Sequence, residues 1–279
     1  MSKREYRWPA PGRLHSPKVL SRILVAAFLA AFLISLGTVR AAHPQAEPKI
    51  KIAFIGDSTA DGLWGGVARL VPREDCLKSS VELGRFAKNS TGLTRPDRFN
   101  WADETRKIGD SFKPQLFVMS LGLNDRQSIV EKGQVTLESS PLYPARYKER
   151  VTAVLKSAQA SKASLLWIGL PAMRDAAADR DARDKNKLFA EAVAEFGAET
   201  VQFVPPWRPG GSGEDKFASF GPDLAGKIIQ IRSTDGQHFT PAGELLVAAY
   251  LLPKMVATLV KDGAPLGEGC GRQVGVGSG

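Results

Sequence analysis

Three runs of this sequence are apolar at almost every position: KIKIAFIG (49–56), PQLFVMSLG (114–122) and SLLWIGL (164–170). A strand with one face in water alternates apolar and polar residues. These runs do not, so both of their faces must be covered. Between and beside them lie segments with helical character: TADGLWGGVARLV (59–71), FNWADETRKIGDSF (99–112) and ARYKERVTAVLKSAQAS (145–161), the last with Tyr147, Val151, Val154 and Leu155 at helical spacing. Strands alternating with helices predict a parallel sheet layered between helices. VELGRFAK (81–88) and the proline-broken TVQFVPPW (200–207) extend that sheet. DARDKNKLFAEAVAEFG (181–197) and PAGELLVAAYLLPKMVATLV (241–260) add helices, with Pro241 suited to a first turn and Pro253 predicting a kink. Segments 123–144 and 208–239 read as long loops, with KIIQIRS (227–233) as one strand of a small hairpin.

At 279 residues, 43% of them hydrophobic and 24% charged, the chain can bury one large core. With neither an internal repeat nor a second core pattern, a single domain over 49–262 is expected, followed by a Gly-rich tail over 263–279. The formal net charge of +9 is concentrated at the start. Setting aside residues 1–41, with seven basic residues and one acid, leaves 31 basic against 28 acidic residues, a net of +3. That balance, without any Lys/Arg-rich run, argues against nucleic acid as a partner. Residues 1–41 carry a basic segment, an apolar stretch of fifteen residues (23–37), and Val39 and Ala41 at positions suited to cleavage after Ala41. This is the pattern of a signal peptide; an uncleaved anchor is the alternative. Either way the body of the protein is exported, to the periplasm or beyond, or held at the inner membrane by residues 23–37. Residues 42–48 form a short linker. In an exported protein the two cysteines, Cys76 and Cys270, suggest a disulfide, with two free thiols as the alternative. Their count and spacing do not suit a metal site.

Polar clusters stand where strands should end: GDS (56–58), KNSTG (88–92), GLND (122–125) and DGQH (235–238). In a parallel sheet such clusters gather at one edge. Ser58 could be a helix N-cap, a role Asp57 and Thr59 could also take. It could instead be a nucleophile. Only three histidines occur, and His15 and His43 lie in or beside the leader, so His238 alone could activate a serine in the fold. Asp235 is three residues before it, a spacing that lets a carboxylate reach Nδ1 and leave Nε2 for the serine. Gly92 can offer an unobstructed backbone N–H, Asn124 a side-chain amide, and Ser58 its own N–H to a developing oxyanion. GLND could also be a plain turn.

These four clusters, in this order and with DGQH just before a C-terminal helix, resemble the SGNH (GDSL-type) hydrolase superfamily over residues 50–260. The resemblance implies a flavodoxin-like three-layer α/β/α sandwich with a central parallel sheet. It implies Ser58 as nucleophile, His238 as base, Asp235 as its orienting acid, Gly92 and Asn124 as oxyanion donors, and no metal or organic cofactor. Thr59 stands where the family's name motif has Leu. The GxSxG elbow of the α/β-hydrolases is absent.

The resemblance points to hydrolysis of carboxylic esters, with acetyl esters on an envelope or extracellular carbohydrate as the favoured class. An O-acetyltransferase using the same three residues and a non-catalytic glycan-binding envelope protein are the alternatives. Arg126 and Arg174, just past strand ends, are candidates for contacting a polar or anionic substrate; surface charge or ion pairing is their other reading. Trp207 could be a sugar platform or pack against the core.

Overall fold

The computed structural model describes residues 48–209, 216–267 and 269–271. The leader with His15, the linker through Glu47 with His43, and the end of the Gly-rich tail lie outside the described residues. In chain order the elements are β1 (Ile50–Gly56), α1 (Ser58–Leu70), α2 (Asp75–Lys78), β2 (Val81–Ala87), α3 (Trp101–Phe112), β3 (Leu116–Ser120), β4 (Ile129–Glu131), β5 (Gln134–Thr136), α4 (Tyr143–Ala160), β6 (Ser164–Ile168), α5 (Ala176–Phe196), β7 (Val201–Val204), β8 (Phe220–Pro222), β9 (Ile228–Gln230) and α6 (Pro241–Lys261).

Five strands pair in parallel in the order β2-β1-β3-β6-β7. This is the doubly wound, flavodoxin-like order, whose ligands bind beyond the carboxyl ends of the strands. The continuous apolar runs follow from it. Ala53, Ile55, Phe117, Met119, Leu165 and Trp167 face a core built with α3, α4 and α5. Their alternating neighbours Ile52, Phe54, Leu116, Val118, Leu166 and Ile168 face a second core built with α1 and α6. Nearly all of these side chains are removed from water, each large one contributing about 1.5–3 kcal/mol.

Two details depart from the sequence pattern. α5 begins at Ala176, five residues ahead of the segment whose spacing predicts it, because the Asp175 side chain accepts from the Ala178 N–H and starts the helix early. The predicted loop 123–144 contains the antiparallel hairpin β4–β5, whose three-residue strands are too short to show a period. α6 continues through Pro253 as one helix, packed against the sheet and α1. KIIQIRS does supply β9, paired antiparallel with β8.

Cys76, in α2, is bonded to Cys270, with the two Cα atoms 5.9 Å apart. Ala264 and Leu266 pack on the α1/α6 core between the end of α6 and that bond, so the first part of the tail is tied to the domain. The bond closes a loop spanning 194 residues. Replacing both cysteines with serine is expected to lower unfolding stability by about 2–5 kcal/mol. Urea unfolding of the oxidised protein against the variant measures it, and coincident curves would contradict it.

Candidate active site

β1 ends at Gly56, and the Asp57 carboxylate accepts from the Thr59 N–H at 2.9 Å, capping α1. Ser58 is therefore not the cap. It is the first residue of the helix, where its N–H has no partner inside the helix. Its side chain points to the start of α6. Ser58 Oγ lies 2.7 Å from His238 Nε2, and His238 Nδ1 lies 2.6 Å from Asp235 Oδ2.

The Asp235–His238 turn is built to hold this geometry. Asp235 Oδ1 accepts from the N–H groups of Gln237 (2.8 Å) and His238 (3.0 Å). Partial burial opposes ionisation of Asp235, but these bonds and the one to the His238 ring outweigh it and hold its carboxyl down at about 2. Arg232 anchors the turn from below. Its buried guanidinium donates to the carbonyls of Ala172 (2.8 Å) and Gln237 (2.7 Å) and lies 4.4 Å from the Phe239 ring centroid. Burial lowers the pKa of this arginine to about 10, still far above neutrality. Nothing in the sequence singled out Arg232.

Helix packing brings the two halves together. A Cβ on Gly66 of α1 would fall 2.3 Å from the Glu244 carbonyl oxygen of α6, so only glycine permits this approach. Arg69 of α1 donates to the Pro241 carbonyl (2.9 Å) and to Glu244 (2.8 Å), closing the same seam.

The oxyanion candidates stand on two adjoining turns. Asn124 Nδ2 donates to the Thr91 carbonyl at 2.9 Å, which ties the GLND turn to KNSTG and leaves the second amide hydrogen available. Asp125, fully buried, accepts from the N–H groups of Leu93 (2.9 Å) and Thr94 (3.1 Å), the Thr94 hydroxyl (2.8 Å) and the Tyr147 hydroxyl (2.9 Å). A Cβ on Gly92 would fall 1.9 Å from Asp125 Oδ1, so this glycine is required by the carboxylate beside it as well as by any oxyanion. Asp57 joins the GLND turn to Ser58. Its Oδ2 accepts from the N–H groups of Gly122 and Leu123, both at 3.1 Å. The signal for both aspartates was already inside the motifs, beside Ser58 and Asn124; what the sequence did not reveal is that they face inward.

Ser58 and His238 line a small cavity of about 40 Å³, walled by Leu63, Ile168, Val247 and Phe239. Trp207 is half-buried at its rim, edge-on to Phe239 with ring centroids 5.8 Å apart. Neither Arg126 nor Arg174 lines it. Arg126 is exposed, with its guanidinium 3.9 Å from Asp175. Arg174 instead braces the His238 turn, donating to the Thr234 carbonyl at 2.8 Å while its backbone N–H donates to Gly236. Among the described residues, no group of three or more His, Cys, Asp or Glu side chains is arranged to hold a metal.

A doubly wound sheet between two layers of helices, with these four clusters at its carboxyl edge, is the arrangement that the SGNH resemblance implies. The chain matches, over residues 51–254, the family described as protein of unknown function DUF459, and it belongs to that family. Among solved structures it is similar to TesA, with 17% identity, 75% of this chain and 99% of that chain covered, and a TM-score of 0.50. It is also similar to a mutant of Axe2, an acetyl-xylooligosaccharide esterase from Geobacillus Stearmophilus, with 14% identity, coverages of 76% and 96%, and a TM-score of 0.51. A GDSL-like lipase from Bacteroides thetaiotaomicron is more distant in shape, with 20% identity, coverages of 84% and 95%, and a TM-score of 0.47. At such identities the shared property is the fold. No curated protein sequence matches the chain significantly.

Burial pushes the Asp57 carboxyl up from 3.8 to about 6, the nearby Asp125 charge adds to this, and the bonds from Thr59 and Gly122 oppose it. The folded protein therefore holds this proton more tightly than the unfolded chain. The resulting stability is fully present below pH 3.8 and is lost as pH rises through about 6, a change on the order of 3 kcal/mol. The advantage of the wild type over Asp57→Asn in urea unfolding is thus expected to shrink between pH 4 and pH 7. An equal advantage at both would contradict it.

Proposed function

We propose that the protein is an exported serine esterase that removes short acyl groups, acetyl above all, from a carbohydrate of the cell envelope or its surroundings. The observation that carries this reading is the line Asp235–His238–Ser58, with hydrogen-bond distances of 2.6 and 2.7 Å. A serine hydroxyl is a weak nucleophile until a base takes its proton as it attacks. His238 Nε2 is within reach to take it. Asp235, ionised throughout the working pH range, keeps Nδ1 protonated and stabilises the imidazolium that forms. Attack on the ester carbonyl forms a tetrahedral intermediate. Its oxyanion is held by the N–H groups of Ser58 and Gly92 and the free amide hydrogen of Asn124. His238 then passes its proton to the leaving sugar oxygen. Water, activated by the same imidazole, attacks the acyl-Ser58 ester and releases the acid.

The size of the cavity supports a short acyl group. Its roughly 40 Å³ has room for about three waters, comparable to the heavy atoms of an acetyl group. The disulfide supports export, because such bonds persist in oxidising compartments. The apolar segment 23–37 supplies the route, as a cleaved signal or an inner-membrane anchor.

Hydrolysis of p-nitrophenyl acetate is expected to exceed that of the octanoate and to vanish in Ser58→Ala. Full activity in that variant would overturn the mechanism, and equal rates on both esters would overturn the short-acyl reading. Asn124→Ala is expected to lower kcat by about 10²–10³ with a smaller change in KM. Asp235→Asn, which leaves His238 without its anionic partner, is expected to lower kcat by up to about 10⁴, and a kcat within threefold of wild type would contradict that role.

A further inference from the structure

The cavity at Ser58 has two kinds of wall. Leu63, Ile168, Gly169 and Val247 are buried and form its inner end, while Trp207, Gln237 and His238 are half-buried and form its mouth. Most polar side chains that line it are already engaged. Ser58 Oγ and His238 Nε2 are bonded to each other, the hydroxyls of Thr59 and Ser120 lie 2.7 Å apart, and Glu244 accepts from Arg69. The side-chain amide of Gln237 is not: it hydrogen-bonds no other described residue.

The base of that side chain is fixed from both sides. The Gln237 N–H donates to Asp235 Oδ1 at 2.8 Å, and the Gln237 carbonyl accepts from Arg232 at 2.7 Å. The amide thus stands on a rigid turn beside His238, with its N–H groups and its carbonyl oxygen unspent. The reaction dictates what the mouth receives. His238 Nε2 hands its proton to the leaving oxygen, so the alcohol half of the ester lies against His238 while the acyl half enters the buried end. In a partly acylated sugar, the carbon next to the esterified one carries a hydroxyl. Gln237, adjoining His238 in the chain and lining the same cavity, offers that hydroxyl both a donor and an acceptor.

We propose that the Gln237 side chain binds the alcohol half of the substrate by hydrogen-bonding a hydroxyl adjacent to the ester, and so selects polyol esters over plain ones. This rests on the esterase reading of the site and names how that site recognises its leaving group. A site that bonds a hydroxyl discriminates against an analogue lacking it, since the amide is then left unpaired, whereas apolar packing discriminates weakly.

The experiment compares ethylene glycol monoacetate with propyl acetate, an isosteric pair in which a methyl group replaces the hydroxyl. Hydrolysis of both, and of p-nitrophenyl acetate, is measured with the full chain as wild type and as Gln237→Leu, with Gln237→Ala as a second variant. The wild type is expected to favour the glycol ester about tenfold in kcat/KM, mainly through KM, and each variant to bring that ratio close to one. A purely structural role for Gln237 would lower both rates together and leave the ratio where it was. A wild-type ratio near one, a ratio kept in the variants, or no hydrolysis of the glycol ester by a wild type active on p-nitrophenyl acetate would overturn the proposal. Failure of the esterase reading would appear separately, as absent p-nitrophenyl acetate hydrolysis in the wild type.

Discussion

The carboxylate of Asp57 is sealed from solvent and accepts hydrogen bonds from four groups: the N–H and hydroxyl of Thr59 and the N–H groups of Gly122 and Leu123. A buried carboxylate is tolerated only when its acceptor sites are filled, so these four donors are bound to this position as firmly as it is to them. They belong to the start of α1 and to the turn after β3. One side chain thus sets the separation between the turn that carries Ser58 and the turn that carries Asn124. It also takes over the capping of α1, which leaves the Ser58 hydroxyl free for another partner.

Asp125 repeats the device one turn further on. It gathers Leu93, Thr94 and Tyr147, and by crowding Gly92 it fixes how closely the KNSTG and GLND turns approach. The proposed oxyanion donors are therefore held by backbone and buried carboxylates on strand ends, not by mobile surface contacts. That suits electrostatic stabilisation of a transition state, where donors must already be in place when charge develops. The charge of Asp125 also helps raise the pKa of Asp57. Stability is spent here on keeping a site in order.

The other half of the site is held by cations. Arg232 and Arg174 donate to the carbonyls of the loop that carries Asp235 and His238, and both stand over the Phe217 ring, at 4.9 and 5.1 Å from its centroid. Arg174 stands out in the sequence for its place after a strand, either as a contact for substrate or as a surface or paired charge. Its side chain supports the histidine loop instead.

The sequence by itself determined the layers. Runs apolar on both faces can only be central parallel strands, and the polar clusters that end them must collect at one edge of the sheet. The candidate site was legible for the same reason: a single histidine within the fold, an aspartate three residues before it, and a serine at a strand end left few pairings. The tertiary structure decided what one-dimensional pattern cannot carry. Whether Ser58 or Asp57 caps α1 depends on which oxygen meets the Thr59 N–H, and that depends on Gly122 and Leu123, more than sixty residues away. The closeness of α1 to α6, which brings Ser58 to His238, rests on a missing Cβ at Gly66 meeting the backbone at Glu244. Such contacts join residues with no fixed spacing in the chain, so only the folded packing defines them.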